Sequence, residues 1–119
     1  MGFTKSDQET RIPIWVFDSP NSVKRAYLRE AFAMEGTVRQ SLREITFAAK
    51  SYNFCLDIKN LLASLNINSF LKKKAGGTYG GMYRVSVYRK ENFEKFKEIG
   101  FTAPLHVERF DLICKKYGV

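Results

Sequence analysis

One stretch limits what this chain can fold into more than any other: a helical stripe that meets two alternating segments across a single glycine. From Pro20 to about Met34, Val23, Ala26, Tyr27, Ala31 and Met34 recur at three- and four-residue spacing. Leu28 and Phe32 widen the apolar surface. That spacing predicts an amphipathic helix. Ser19 stands where a cap is needed, and Pro20 at the first helical position, where its missing N–H costs nothing. Gly36 ends the helix. Strands then follow at about Thr37–Ser41 and Leu42–Ala49, the second with Ile45 and Phe47 alternating with Thr46 and Ala48.

The rest of the chain reads in the same terms. Ile12–Phe17 is apolar with a proline near its start, which predicts an extended stretch packed on the domain. Phe54, Ile58, Leu61, Leu62 and Leu65 mark a second helix over about Tyr52–Leu65, and Asn66 suits a left-handed residue at its end. Ile67–Lys74 is the third strand, Ala75–Gly81 (AGGTYGG) a glycine-rich hairpin loop, and Met82–Arg89 the fourth strand. A short helix over Asn92–Ile99 is stopped by Gly100, and Pro104–Tyr117 is the last helix. The order α-β-β-α-β-β-α-α describes an α+β domain: an antiparallel four-stranded sheet with its helices on one face. Residues 1–11 lack periodicity and read as a flexible tail, leaving one domain over residues 12–119.

A sheet covered on one face leaves the other to be read by strict alternation. Opposite the core set Val38, Ile45, Phe47, Tyr83, Val85 and Val87 lie Arg39, Ser41, Thr46, Lys50, Arg84, Ser86 and Tyr88. Lys72 and Lys74 join them if the third strand follows the same parity, which places Phe70 on that face too. Arginine and lysine bind phosphates and guanine edges, and hydroxyl groups add shorter hydrogen bonds. The charge of the chain agrees: 20 Lys+Arg against 12 Asp+Glu give +8 and a pI near 9.6, which favours a polyanionic partner. The competing reading is an ordinary solvated face, and Glu44 on the same side supports it.

Other chemistry is thinly supported. AGGTYGG lacks the Gly-Lys-Ser/Thr ending of a phosphate-binding loop and lies between strands. His106 is the only histidine and reads as a surface residue. Cys55 and Cys114 lack metal-ligand spacing and sit in apolar helical settings, as buried thiols do. No apolar run approaches the ~18 residues of a membrane span, and the N-terminus has no signal-peptide core, so an intracellular, cytoplasmic protein is expected. Glu35 is left at the helix end, at the edge of the sheet. By spacing alone it reads as an exposed glutamate in a last turn. A carboxylate there also suits a divalent cation, but hydrolysis of a phosphodiester usually needs two acidic groups and one chain offers one.

A family resemblance gives that position a meaning. Tyr27-Leu28-Arg29-Glu30-Ala31-Phe32-Ala33-Met34-Glu35-Gly36-Thr37-Val38 resembles the LAGLIDADG motif of homing endonucleases, especially archaeal and intein-borne forms. Arg11–Pro20 resembles the segment that leads into that helix. Asp57–Leu62 with Leu65–Ile67, Tyr83–Val87, and Asn92–Phe96 with Ile99–Phe101 resemble the family's later helix, closing strand and closing helix. The resemblance implies a saddle-shaped sheet over the DNA major groove and motif helices paired side by side, in a homodimer or with a partner repeat. It implies Glu35 as the catalytic, metal-binding carboxylate, with Mg2+ or another divalent cation as cofactor and double-stranded DNA as partner. Tyr27, Glu30, Ala31 and Met34 fall at the helix pairing. Glu30 and Met34 occupy its contact pair, where the family usually carries small residues. The implied activity is site-specific DNA cleavage; the alternatives are a DNA-binding regulator of the same descent that does not cut, and an interaction domain with an incidental basic face.

Overall fold

The computed structural model describes residues 11–77 and 80–119, with the backbone at most over residues 74–80. The expected tail therefore lies outside the described residues as far as residue 10. Its last member, Arg11, is fixed: its guanidinium donates to both oxygens of Asp57, at 2.7 and 3.0 Å, and the Ile12 amide donates to the same carboxylate at 3.1 Å.

Residues Ile14–Phe17 form a one-turn helix, α1, and not the extended stretch expected. Pro13 starts the turn and accepts from the Val16 amide, so Ile12 and Val16 bury while Ile14 and Trp15 project outward. Ser19 closes this turn by donating to the Trp15 carbonyl at 2.7 Å. It is thus not the cap of the next helix, α2 (Asn21–Glu35), whose N-cap is Pro20. Along α2 the fully buried residues are Leu28, Ala31 and Phe32, whereas Ala26 and Met34 lie outside.

No loop separates α2 from strand β1 (Gly36–Arg39). Gly36 has φ −94° and ψ 162°, ordinary extended backbone, so its role is not the left-handed turn usual for a glycine at a helix end. A Cβ on it would stand 2.4 Å from the Phe32 carbonyl oxygen and 2.8 Å from the Phe32 Cα. The glycine is required by space: strand and helix backbones touch there.

Strand β2 (Glu44–Ala49) returns antiparallel to β1 after a 3-10 turn, Gln40–Leu42, that ends on Arg43 in the left-handed region (φ 49°). That turn shortens both expected strands and takes Ser41 out of β1. Helix α3 (Tyr52–Ser64) is capped by Ser51, whose hydroxyl accepts from the Phe54 amide, and Asn66 adopts the expected left-handed conformation beyond its end (φ 64°). Strands β3 (Phe70–Gly77) and β4 (Gly80–Val87) are shifted towards the hairpin: β3 begins at Phe70 and not Ile67, β4 ends at Val87 and not Arg89, and both reach into the segment read as a loop, of which residues 78 and 79 lie outside the described residues. Helices α4 (Lys90–Phe96) and α5 (Pro104–Tyr117) close the fold, with Gly100 left-handed between them (φ 71°).

The sheet is antiparallel throughout, in the order β1-β2-β4-β3. Val38 pairs with Ile45, Ile45 with Val87, Phe47 with Val85 and Val85 with Leu71. These partners share the face that the helices cover, and Val38, Ile45, Phe47, Val85 and Val87 are fully buried. Phe32 of α2 sits over them, 5.6 Å from the Phe47 ring and 5.2 Å from Phe96; Phe47 meets Phe54, and Phe96 stacks on Phe101. The aromatic chain ties α2, β2, α3 and α4 into one core. Both cysteines are free and buried, as expected.

Two outcomes follow from these contacts. Gly36→Ala is expected to destabilise the domain by roughly 1–3 kcal/mol, because the added methyl meets backbone that cannot rotate away; urea denaturation measures it. Asp57→Ala is expected to release Arg11 and Ile12, so that hydrogen exchange at the Ile12 amide accelerates while the β2 and β4 amides keep their protection.

Candidate functional site

The face of the sheet away from the helices is built in cross-strand rows. Opposed residues in an antiparallel pair point to the same side, so the register names each row. Arg39, Glu44 and Tyr88 lie at one end. Next come Thr37, Thr46, Ser86 and Phe70, then Ala48, Arg84 and Lys72. The parity of β3 is thereby settled in favour of Lys72 and Phe70 on this face. Lys74 pairs with Met82 in the same parity, but its side chain lies outside the described residues.

Exposure divides these residues into a floor and a contact layer. Thr46 and Ser86 are buried although they point away from the helices of the described residues; Thr46 Oγ1 lies 3.5 Å from the Thr37 carbonyl oxygen. Short hydroxyl residues between long neighbours are roofed by them, so Thr46 and Ser86 do not present themselves to a ligand as alternation alone suggests. Arg39, Lys72 and Phe70 are exposed, and Arg84 and Tyr88 are half-buried; Lys50 is exposed too, but it lies one residue past the end of β2 and outside the paired rows. The Arg84 Nε is buried with no hydrogen-bond partner among the described residues. Ser41 is exposed but stands in the 3-10 turn beside Arg43, Leu112 and Lys116, away from these rows.

Glu44 is the residue that alternation misjudges. Its side chain is 3% exposed. It accepts the Tyr88 hydroxyl proton at 2.5 Å and faces Arg39 Nη1 at 3.5 Å. The hydrogen bond to Glu44 raises the Tyr88 phenol above its ordinary pKa, with burial adding to the effect. The carboxylate is therefore spent inside the face and does not oppose an approaching polyanion. The signal lay in the sequence: a five-residue step from Arg39 to Glu44 across a turn puts the two side by side once the register is known.

Glu35 is the last residue of α2 and is exposed. The chain turns from it through Gly36 straight into β1. Among the described residues no cluster of three or more His, Cys, Asp or Glu side chains comes together. A divalent cation that takes about six oxygen ligands would find one carboxylate from each copy of α2, so the donor set fits half a site. His106 is not the surface residue expected: it is half-buried, its ring lies 5.7 Å from that of Phe101, and burial lowers its pKa. It lies outside the rows named above.

The residues assigned to helix pairing separate likewise. Glu30 and Met34 are exposed and Tyr27 is half-buried, with its phenol pushed up to about 12, first by burial and then by Asp57 and Glu30. Ala31 is fully buried inside the domain, so a partner helix cannot reach it. The free face of α2 runs through Ser22, Ala26, Glu30 and Met34. Arg29 is committed to the Ile99 carbonyl, joining α2 to the end of α4. No helix of the described residues is long and apolar enough to cross a membrane.

Comparison with known proteins agrees with this architecture. A stretch of glutamine--fructose-6-phosphate aminotransferase (isomerizing) from Methanocaldococcus jannaschii is 32% identical over 117 residues. A stretch of the replicative DNA helicase DnaB from Rhodothermus marinus is 28% identical over 96 residues. These cover 96% and 76% of this chain but only 11% and 10% of the relatives, so the chain spans about a tenth of their length. The family description LAGLIDADG-like domain matches residues 22–100, which contain nearly all of α2 with Glu35, the whole sheet and α4. The chain belongs to the LAGLIDADG-like domain family.

Proposed function

We propose that this chain is a duplex-DNA-binding domain of homing-endonuclease type that cuts DNA when two α2 helices pair. The observation that carries the reading is the join of α2 to β1: one exposed carboxylate, Glu35, stands at the margin of a face that carries Arg39, Lys72 and Arg84, with exposed Lys50 just past the end of β2. Lys50, Lys72 and Arg84 bind phosphates in the groove, Arg84 through the part of its guanidinium that is not buried. Glu35, with the matching carboxylate of a second copy or a partner repeat, would hold a divalent cation such as Mg2+ against the scissile phosphate. The bound cation supplies charge neutralisation and a water of lowered pKa. The protein's own share is placement: the contact at Gly36 holds Glu35 at a set position beside the DNA-facing rows.

The relatives bear on what the chain is not. One is named for aminotransfer and the other for helicase action, yet each matches most of this chain. A stretch shared by proteins named for such different work does not by itself perform either, which supports a module that hosts carry. The second reading, a DNA-binding regulator that does not cut, draws on Glu30 and Met34: a charged and a long residue stand on the free face of α2 and hold two helices further apart than small residues do.

Glu35→Gln is expected to abolish Mg2+-dependent nicking of a target duplex selected from a random library while leaving binding intact. Cleavage by the variant equal to that of the parent would remove Glu35 from the reaction, and binding without cleavage in any divalent metal would favour the regulator. Lys72→Ala is expected to weaken binding evenly across sequences and to reduce the slope of log K against log salt by about 0.9, one phosphate contact; a salt titration by fluorescence anisotropy reads it.

A further inference from the structure

A carboxylate buried on a basic face needs a reason. Taking Glu44 out of water is costly unless its oxygens are matched, and an apolar residue of similar size would fill the place more cheaply. Both of its oxygens are engaged, one by each neighbouring strand: Oε2 by the Tyr88 hydroxyl beyond β4, Oε1 by Arg39 at the end of β1. The line continues, for the Tyr88 ring lies 6.1 Å from that of Phe70, which is 47% exposed at the start of β3. One lateral chain of side chains, Arg39–Glu44–Tyr88–Phe70, thus crosses all four strands at one end of the sheet. Nothing comparable restrains Lys50 or Lys72 among the described contacts.

Resting on the DNA-binding reading above, we propose that Glu44 is a positioning residue that makes this row the sequence-reading end of the face, with Arg39 presenting donors and Tyr88 an acceptor to base edges. The remaining cations of the face supply affinity that is blind to sequence. The chemistry follows from the hydrogen-bond inventory. Tyr88 spends its only proton on Glu44, so its phenol oxygen can only accept, which matches the exocyclic amino group of adenine or cytosine. Arg39 is steered by one nitrogen and keeps its other N–H groups for the O6 and N7 acceptors of guanine. An arginine held beforehand loses less rotamer freedom on binding than a free one, so the gain falls on the matching base and not on any phosphate. Phe70, at the end of the line, offers an apolar surface to a thymine methyl group.

Glu44→Met in the full chain tests this, since methionine fills the space and removes both hydrogen bonds. Selection from a random duplex library followed by anisotropy titrations should show affinity for unselected duplex within about threefold of the parent. Preference at the guanine and amino-group positions should fall by roughly tenfold or more. Absorbance titration of the phenols should show one tyrosine moving down towards its ordinary range in Glu44→Met and vanishing in Tyr88→Phe, which assigns the Tyr88–Glu44 hydrogen bond. Arg39→Lys and Tyr88→Phe should each lose preference at one of the same positions, and they carry the test if Glu44→Met does not fold. Selected sequences identical in the parent and these variants overturn the proposal. No binding of any duplex by the parent at low salt is a different failure, and it overturns the DNA-binding reading itself.

Discussion

The rest of the structure depends on the contact between Gly36 and the last turn of α2. With no loop between helix and strand, the angle of α2 to the sheet is set where the Gly36 backbone lies against the carbonyl and Cα of Phe32. Phe32 is also the centre of the aromatic core, in contact with Phe47 and Phe96. One residue therefore fixes both how close the helix comes and what it packs on. The consequence reaches the surface: Glu35 cannot swing on a flexible connection, and the first outward residue of β1 follows it within two positions.

The outward face solves an electrostatic problem of a different kind. A patch of cations gains affinity for a polyanion but gives no direction to its side chains, because lysine and arginine stems are long and mobile. Here the middle of the face is lowered by the buried Thr46 and Ser86, and the long residues stand around them. Glu44 is sunk among them, its charge matched on both sides before any ligand arrives. A negative residue is thus compatible with a strongly basic face, provided it is spent in holding neighbours.

Much of this was legible in the sequence. Strict alternation assigned the core set of β2 and β4 correctly, because a period of two admits only two answers and the β-branched residues choose between them. Asn66 and Gly100 were legible as helix ends because the left-handed conformation admits few residues. What failed was local competition. Ser19 was read as a cap for α2, but the turn at Pro13 made a short helix first and took its hydroxyl. Ser41 left its strand because the left-handed Arg43 permits a tight 3-10 turn that no pattern of apolar residues announces. Thr46 and Ser86 pointed the right way but were covered, since parity gives direction and not the length of neighbours. Ala31 lay on the predicted apolar stripe and is buried; what fails is its place in the helix pairing, taken from the resemblance, while Ala26 and Met34 of the same stripe lie outside.

That displaced stripe has a consequence for pairing. With Leu28, Ala31 and Phe32 inside, the surface that α2 offers a second helix is Ser22, Ala26, Glu30 and Met34. Two identical faces about a two-fold axis form an isologous interface, in which only residues at the axis meet their own copies. A two-fold axis passing beside Glu30 would bring it against its own copy. Two carboxylates about 4 Å apart near a protein surface repel by about 4 kcal/mol at an effective dielectric constant of about 20. Met34 can adapt to a partner because its side chain is long and unbranched, but it does nothing for that charge. A partner repeat with a basic or small residue opposite Glu30 removes the repulsion and still delivers a second carboxylate beside Glu35. In the proposed pairing, Glu30 is therefore a residue that an unlike partner accommodates more readily than an identical one.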